Sequence, residues 1–591
     1  MSENKCDLFA SALAARPSER QYKWMKMEMC AFVHLSLNTF YDKEWGDGTE
    51  DPALFDPVCC DTDSWCKLFK ECGFKMAILT CKHHGGFCLW PSKYTDYSVK
   101  NSPWKDGQGD LVREFSDSCR KYGLKFGVYL SPWDRHDKRY AVDSAAYNRY
   151  FLNQLTELLT NYGEVSEVWF DGACVPVNNM VQEYAWSDYY SLIRKLQPDA
   201  VISGIAPDVR WCGNEAGKSR PAEWAVVDLD RDYYAFNRQR SKDHDIGRLG
   251  SNMVWYPSEV DTSIRPNWFY HKSDDVDVKS MYKLLNIYFN SVGHNSVLLL
   301  NIPPDHRGQI HRADADRLRE MHAWLTLAFQ NDLAEKARFF RESVKIASDG
   351  FIEECFCLEL PEKSVFDCVE LAEDILQGQR VESYRIYIKD GDLKIPVGSG
   401  FTIGSRELKR LPQCVACSKL YLEFTSRAEV KLLPVKLYKL PPFPAEETAT
   451  ADLYFWNVDY HVPEHQGGSP ENLKSETPYI SDPGAMPQRI EFTCRQGVDF
   501  QGLAILPQQD DSTDGTVREC SIEITCDNQN WQNIFSGELG NLQENRVFCK
   551  LLFPQNYYGV KGLRFIVHKT FNGENYFKLQ RLLPILLPEN K

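Results

Sequence analysis

In the stretch EVSEVWFDGACV an apolar run, residues 165–170, reads as a strand and stops at Asp171 and Gly172. A carboxylate there has two readings. Asp-Gly is a common turn in which the aspartate caps the next residues of the chain. Alternatively the strand belongs to a parallel barrel, whose C-terminal strand ends gather at one mouth where chemistry takes place. Other apolar runs end in comparable residues. His34 sits near the end of AFVHLS, and His83 and His84 follow MAILTC in CKHHGGF. Tyr129 and then SPWDRH close KFGVYLS, Trp169 precedes Asp171, and AVISGI leads into the loop RWCGNEAG. Imidazoles, aromatic rings and carboxylates without a phosphate-binding loop suit a neutral polyhydroxylated ligand. Each also has a plainer reading: a lone histidine is commonly a satisfied structural residue, and SPWDRH can be a simple loop. The pair His83-His84 raises a metal site, but adjacent strand residues point to opposite faces. No HExxH or cysteine-rich partner completes a zinc set, so no metal is expected.

These residues converge only if the elements between them place their strands side by side. Strands are expected at 31–36, 76–81, 125–131, 165–171, 200–205 and 295–302, with WAVVDLD (224–230) and NMVWYPSEV (252–260) competing for the remaining places. The helices between them carry start and stop signals. DTDSWCKLFKECGF opens on an aspartate cap and ends at Gly73; DLVREFSDSCRKYGL ends at Gly123; SAAYNRYFLNQLTELLTNYG ends at Gly163. This alternation predicts a (β/α)8-like barrel over residues 1–330. Beyond it, short alternating strands with Gly and Pro turns predict two all-β sandwiches, 331–445 and 446–591, with LPPFPAEETATAD (440–452) as a linker.

Composition narrows the partners. The chain of 591 residues has room for several domains, and its net charge of −15 without a basic cluster speaks against nucleic acid. Aromatic residues make up 13% of the chain, a supply of flat apolar platforms for sugars or of ordinary core. The 20 cysteines are scattered without metal-type spacing and read as buried thiols of a reducing compartment. The N-terminus has no apolar signal core and no run of 18 apolar residues occurs, so a cytoplasmic protein that does not span a membrane is expected.

The set HHGGFCLWPSKYTDYSV, KFGVYLSPW, EVWFDGA, RPNWFYH and LLLNIPPDHRG, in this order over residues 22–330, resembles α-L-fucosidases of glycoside hydrolase family 29. That resemblance implies a (β/α)8-like barrel and retaining hydrolysis of α-L-fucosides, with Asp171 as nucleophile. RWCGNEAG is similar to the loop of the subgroup restricted to α-1,3 and α-1,4 linkages, which implies Glu215 as acid/base; Glu223 and Glu259 are nearby rivals. The implied fucose contacts are His34, Glu44, Trp45, His83, His84, Tyr129, Trp169 and Trp268. Asn267 departs from the glycine common in RPGWFYH and bears on the pose of Trp268. In the C-terminal half, FDCVELAEDILQGQRVESYRIYI resembles a galactose-binding-like sandwich, and FQGLAILPQQDDSTDG with the strands after it resembles a discoidin-type (factor 5/8 type C) domain. DDSTDG lacks the bidentate glutamate of an EF-hand loop, since Ser521 holds that position, and reads as a solvated acidic turn.

Retention needs two carboxyl groups roughly 5–5.5 Å apart. One attacks the anomeric carbon while the other, protonated, serves the leaving oxygen, so they begin in opposite protonation states. No cofactor is needed, and the expected partners are fucosylated oligosaccharides or glycoconjugates of Lewis type. Alternatives are a broad-specificity fucosidase that also takes α-1,2 linkages, a barrel glycosidase for another sugar, and a carbohydrate-binding protein that kept an inactive barrel.

Overall fold

The computed structural model describes residues 2–586 apart from 175, 178–179, 205–206, 230–248, 251, 392, 445–458, 461–478, 482, 510–513, 528 and 540–548. The linker expected at 440–452 and most of DDSTDG therefore lie largely outside the described residues.

Eight parallel strands form a nearly closed barrel. They are β1 (Met29–Val33), β2 (Met76–Lys82), β3 (Lys125–Leu130), β4 (Glu167–Phe170), β5 (Val201–Gly204), β6 (Arg210–Trp211), β9 (Ser258–Ser263) and β10 (Ser296–Asn301), in the order β5-β4-β3-β2-β1-β10-β9-β6. The first five and the last fall where the sequence places strands. The competition between 224–230 and 252–260 resolves differently. β7 (Val226–Asp228) and β8 (Met253–Trp255) pair antiparallel in a separate ribbon, and the barrel place goes to β9, which starts only at Ser258. The remaining place is taken by β6, two residues inside the segment read as loop. RWCGNEAG thus follows the fifth strand in sequence but supplies the sixth itself, and Glu215 stands after β6. A two-residue strand has no periodicity to read.

The helices obey their sequence signals. In Leu111–Tyr122 the Asp110 side chain caps the N-terminus by accepting from the Arg113 N–H, and Gly123 at φ 66° ends it in the left-handed region. Leu111, Val112, Phe115 and Cys119 form the buried face. At the end of β5, Gly204 has φ 88°, and a Cβ there would lie 1.8 Å from the Phe170 carbonyl oxygen. Only glycine lets β5 run this close to the strand that carries Asp171.

After the barrel, β11 (Arg338–Ile346), β12 (Ile352–Leu371), β15 (Glu407–Ser426), β13 (Val381–Asp390) and β14 (Leu393–Gly400) form an antiparallel sheet, joined by β16 (Lys436–Tyr438) on β12. The C-terminal region is also antiparallel; its main sheet runs β17 (Asp459–Tyr460), β19 (Gln488–Leu506), β22 (Cys549–Thr570), β20 (Val517–Thr525) and β21 (Gln532–Glu538). There β24 (Arg581–Leu586) pairs with β19, and β18 (Tyr479–Ile480) with β23 (Lys578–Leu579). The chain divides into two compact units. The first holds Met1–Leu37, Gly46–Thr262 and Met281–Ala445, the barrel with the first sandwich. The second holds Glu446–Lys591 together with two short segments, Asn38–Trp45 and Ser263–Ser280. The cysteines among the described residues are free and mostly buried, and no helix among them is long and apolar enough to cross a membrane.

Candidate active site

Asp171 closes a turn and also stands directly after the barrel strand β4. Its Oδ1 accepts from the Ala173 N–H at 2.7 Å, closing the Asp-Gly turn, while Oδ2 accepts from the Tyr129 hydroxyl at 2.8 Å. β3 and β4 pair Tyr129 with Trp169, which puts the phenol beside the carboxylate two residues on. The Asp171 side chain keeps 23% exposure, enough to meet a ligand, whereas Tyr129 is buried. Burial and the negative charge of Asp171, with a smaller push from Glu215, hold the Tyr129 pKa well above its ordinary value. Tyr129 therefore stays a hydrogen-bond donor.

Three histidines gather at the same strand ends. His34 Nδ1 lies 2.8 Å from the Asn301 Oδ1, an acceptor, so Nδ1 carries the proton and Nε2 is the ring's acceptor. Burial pushes the His34 pKa down to about 3 despite that bond. His84 Nδ1 lies 2.8 Å from Ser131 Oγ, whose own proton goes to the Trp133 carbonyl, so His84 also donates from Nδ1. Its Nε2 stands 3.7 Å from Asp171 Oδ2, beyond hydrogen-bond length. Burial lowers the pKa of His84 against the pull of Asp171, and lowers that of His83 well below normal with help from its two neighbours. The cluster is neutral. The His83 and His84 ring centres are 4.1 Å apart, and the Tyr129 ring stacks on Trp169 at 5.4 Å and 18°. Neutral acceptors beside a flat aromatic floor suit hydroxyl groups on an otherwise apolar ring.

Support for this floor comes from residues the sequence reading did not single out as contacts. The Trp169 indole N–H donates to Glu259 Oε2 at 2.7 Å, and Ser203 Oγ donates to the same oxygen at 2.9 Å. The Trp24 indole donates to Glu167 Oε2 at 2.7 Å. Asn301 ends β10 inside the NSVLLLNI run, so its place at a strand end was the available signal.

The rival carboxylates have other employment. Glu223 is buried in ion pairs with Arg210 and Arg220 and also accepts from the Arg220 N–H at 2.9 Å. Glu259 is buried behind Trp169. Glu215 is partly exposed in a loop held by Asn214, whose Oδ1 accepts from the Ala216 N–H and whose amide donates to the Lys218 carbonyl. Of the SPWDRH segment, Asp134 is not available to a ligand. It is 1% exposed and pairs at 2.9 Å with Lys82 from β2, and its Oδ1 accepts from the His136 and Asp137 N–H groups. Arg135 and His136 remain exposed, His136 stacked on Tyr97 at 3.9 Å.

The second unit holds Glu44, Trp45 and Trp268. Glu44 is a hub: Oε2 accepts from the Trp268 N–H, and Oε1 accepts from the Phe269 N–H and from His271 Nε2, all at 3.0 Å. His271 Nδ1 lies 2.6 Å from Asp42 Oδ1. Burial opposes charge on His271, but the two carboxylates outweigh it and raise its pKa well above normal. Asn267 donates to Asp274 Oδ2 at 2.9 Å and thereby steadies the backbone next to Trp268.

A parallel barrel with a hydrogen-bonded carboxylate, neutral imidazoles and a stacked aromatic floor at its strand ends defines a glycoside hydrolase. The alpha-L-fucosidase family profile matches residues 10–328, and the chain belongs to that family. Alpha-L-fucosidase 1 of Arabidopsis thaliana is 39% identical over 439 residues, 69% of this chain and 84% of the plant protein. A crystal structure of a glycoside hydrolase 29 family member from an unknown rumen bacterium superposes with a TM-score of 0.67 at 33% identity, over 97% of this chain and 99% of that one. The Ruminococcus gnavus GH29 fucosidase E1_10125 in complex with fucose gives 0.64 at 29% identity, over 73% and 96%.

Proposed function

We propose that this chain is a retaining α-L-fucosidase that releases terminal α-1,3- and α-1,4-linked fucose from Lewis-type glycans, with Asp171 as nucleophile and Glu215 as acid/base. The observation that carries the reading is the placement of Asp171: an accessible carboxylate at the end of β4, oriented by Tyr129 and faced by His84. Asp171 attacks the anomeric carbon as protonated Glu215 gives its proton to the leaving oxygen, and a covalent fucosyl-enzyme forms. Glu215 then takes a proton from the water that releases fucose. The Nε2 atoms of His34 and His84 accept from sugar hydroxyls, and the Tyr129–Trp169 stack offers an apolar surface to the C6 methyl group. Glu44, Trp45 and Trp268 join the sugar contacts on the strength of the sequence resemblance.

The loop carrying Glu215 supports the linkage preference, because its sequence RWCGNEAG resembles that of the linkage-restricted subgroup. The test is a fluorinated fucosyl trap on wild-type enzyme, followed by peptide mapping. Labelling of the peptide that contains VWFDGA, with loss of several orders of magnitude in kcat for Asp171→Ala, is the expected result. A label on another peptide, or substantial activity left in the variant, overturns the assignment.

A further inference from the structure

Among the residues of the second unit, Trp45 is held by two side chains from the far end of the sequence. The guanidinium carbon of Arg518 lies 4.8 Å from the centre of the indole, and the ring of Phe571 meets it edge to face at 6.3 Å and 83°. Neither neighbour is loose. Arg518 opens β20 and is anchored to Glu538 at the end of β21 by an ion pair of 3.2 Å. Phe571 follows β22, packs on the sandwich core that includes Ile522, Phe565 and Val567, and gives its N–H to the buried Thr516 carbonyl at 3.0 Å. Immediately before Trp45 in the chain, the Glu44 carboxylate accepts from the Trp268 and Phe269 N–H groups. The Trp45 backbone is thus pinned by its neighbour Glu44, and its side chain by the C-terminal sandwich. Fixing one rotamer of this partly buried indole before a ligand arrives removes an ordering cost from binding.

We infer that Arg518 and Phe571 are positioning residues for Trp45, fixing within one compact unit a ring that the sequence resemblance makes a fucose contact. This rests on the reading of Trp45 as a fucose contact. The interaction is a cation over the indole face plus an aromatic edge, the two geometries in which a tryptophan ring is best held.

The test uses the full chain and an aryl α-L-fucoside. Trp45→Ala, Arg518→Ala and Phe571→Leu are each expected to raise KM about 3- to 10-fold with kcat within about twofold, the split expected when binding but not chemistry loses its preorganisation. Arg518→Lys keeps a cation over the ring and should restore most of the affinity. Glu538→Gln, which loosens the anchor of Arg518 but keeps its cation, should raise KM less than Arg518→Ala does. In the Trp45→Ala background, Arg518→Ala should add nothing, an outcome that general destabilisation of the sandwich does not produce. If Trp45→Ala raises KM while Arg518→Ala and Phe571→Leu do not, or if the Trp45 and Arg518 effects multiply, the positioning role is wrong and the sugar contact stands. An unchanged KM in Trp45→Ala removes the contact itself, and the inference with it.

Discussion

The Tyr129 hydroxyl donates to Asp171 Oδ2 at 2.8 Å, a bond between side chains of two neighbouring barrel strands. It fixes the carboxylate relative to the sheet rather than to its own turn. Tyr129→Phe keeps the ring stacked on Trp169 and removes only the donor. A hydrogen bond to a charged group contributes about 1.5–3 kcal/mol, so kcat/KM for an aryl fucoside should fall about 10- to 150-fold. Steady-state kinetics at one pH decides it; a value within twofold of wild type means the bond does not orient the nucleophile.

Glu215 and Glu223 should separate cleanly. Glu215→Ala should depress turnover of fucosides with poor leaving groups far more than activated aryl fucosides, because only poor leaving groups need the proton, and azide should partly restore rate by replacing the activated water. Glu223→Gln instead leaves Arg210 and Arg220 buried with a diminished partner. Breaking such a pair costs about 3–5 kcal/mol, so its signature is a lower unfolding midpoint with no dependence on leaving group. Equal damage by Glu215→Ala on both substrate types, without azide rescue, moves the acid/base role elsewhere.

Much of this site was legible because a barrel turns one-dimensional punctuation into convergence. Asp171 is visible as the residue that interrupts an apolar run, and His34, His83 and Tyr129 are visible in the same way. Pairings across the barrel are not. Asp134 reads as a surface loop residue in SPWDRH, yet its partner is Lys82, one strand earlier and itself fully buried. Glu259 reads as a rival for the acid/base, while in the structure it accepts from the indole N–H of Trp169. β6 escaped notice because two residues carry no alternation, and 252–260 misled because it contains the end of an antiparallel ribbon and the start of a barrel strand. The two short segments that group with the C-terminal unit, Asn38–Trp45 and Ser263–Ser280, have a composition that says nothing of their partners.

A second carboxyl pair should govern stability rather than chemistry. Glu167 and Glu259 are both buried, each accepting an indole N–H at Oε2, and their Oε1 atoms are satisfied only if the pair holds a proton between them. Burial pushes the Glu167 pKa up to about 7, and burial with the Glu167 charge pushes Glu259 well above the carboxylate range. For a raised carboxyl pKa the stabilisation is complete below the unfolded value of 4.5 and is lost as pH rises through the folded one. Glu167→Gln supplies a permanent donor in place of that proton. Its melting temperature relative to wild type should therefore rise between pH 5 and pH 8, measured by thermal unfolding at each pH. A constant difference across that window shows that the pair does not titrate there.

The linkage preference is the most exposed of these predictions, because it depends on where Glu215 stands. A proton donor in the loop after β6 fixes the side from which the leaving oxygen is protonated, and so orients the aglycone. A branched Lewis trisaccharide places a galactose beside the fucose, and its hydroxyls need partners. Asp134 is excluded by its ion pair with Lys82, which leaves the exposed Arg135 and His136. Arg135 donates to the Gly46 carbonyl at 2.9 Å, and His136 is stacked on Tyr97 with its Nδ1 on the Gly48 carbonyl at 2.7 Å, so both are held in place before any ligand binds. Contacts to a remote sugar raise the rate when they are realised in the transition state. The wild-type enzyme should then show kcat/KM on a Lewis trisaccharide well above that on the same substrate without galactose, and above that on 2′-fucosyllactose. Arg135→Ala should lower the first value about tenfold and leave the second nearly unchanged, as expected for about 1.4 kcal/mol of binding lost only where galactose is present. Hydrolysis of 2′-fucosyllactose as fast as the branched trisaccharide would refute the linkage assignment even with Asp171 and Glu215 in their proposed roles.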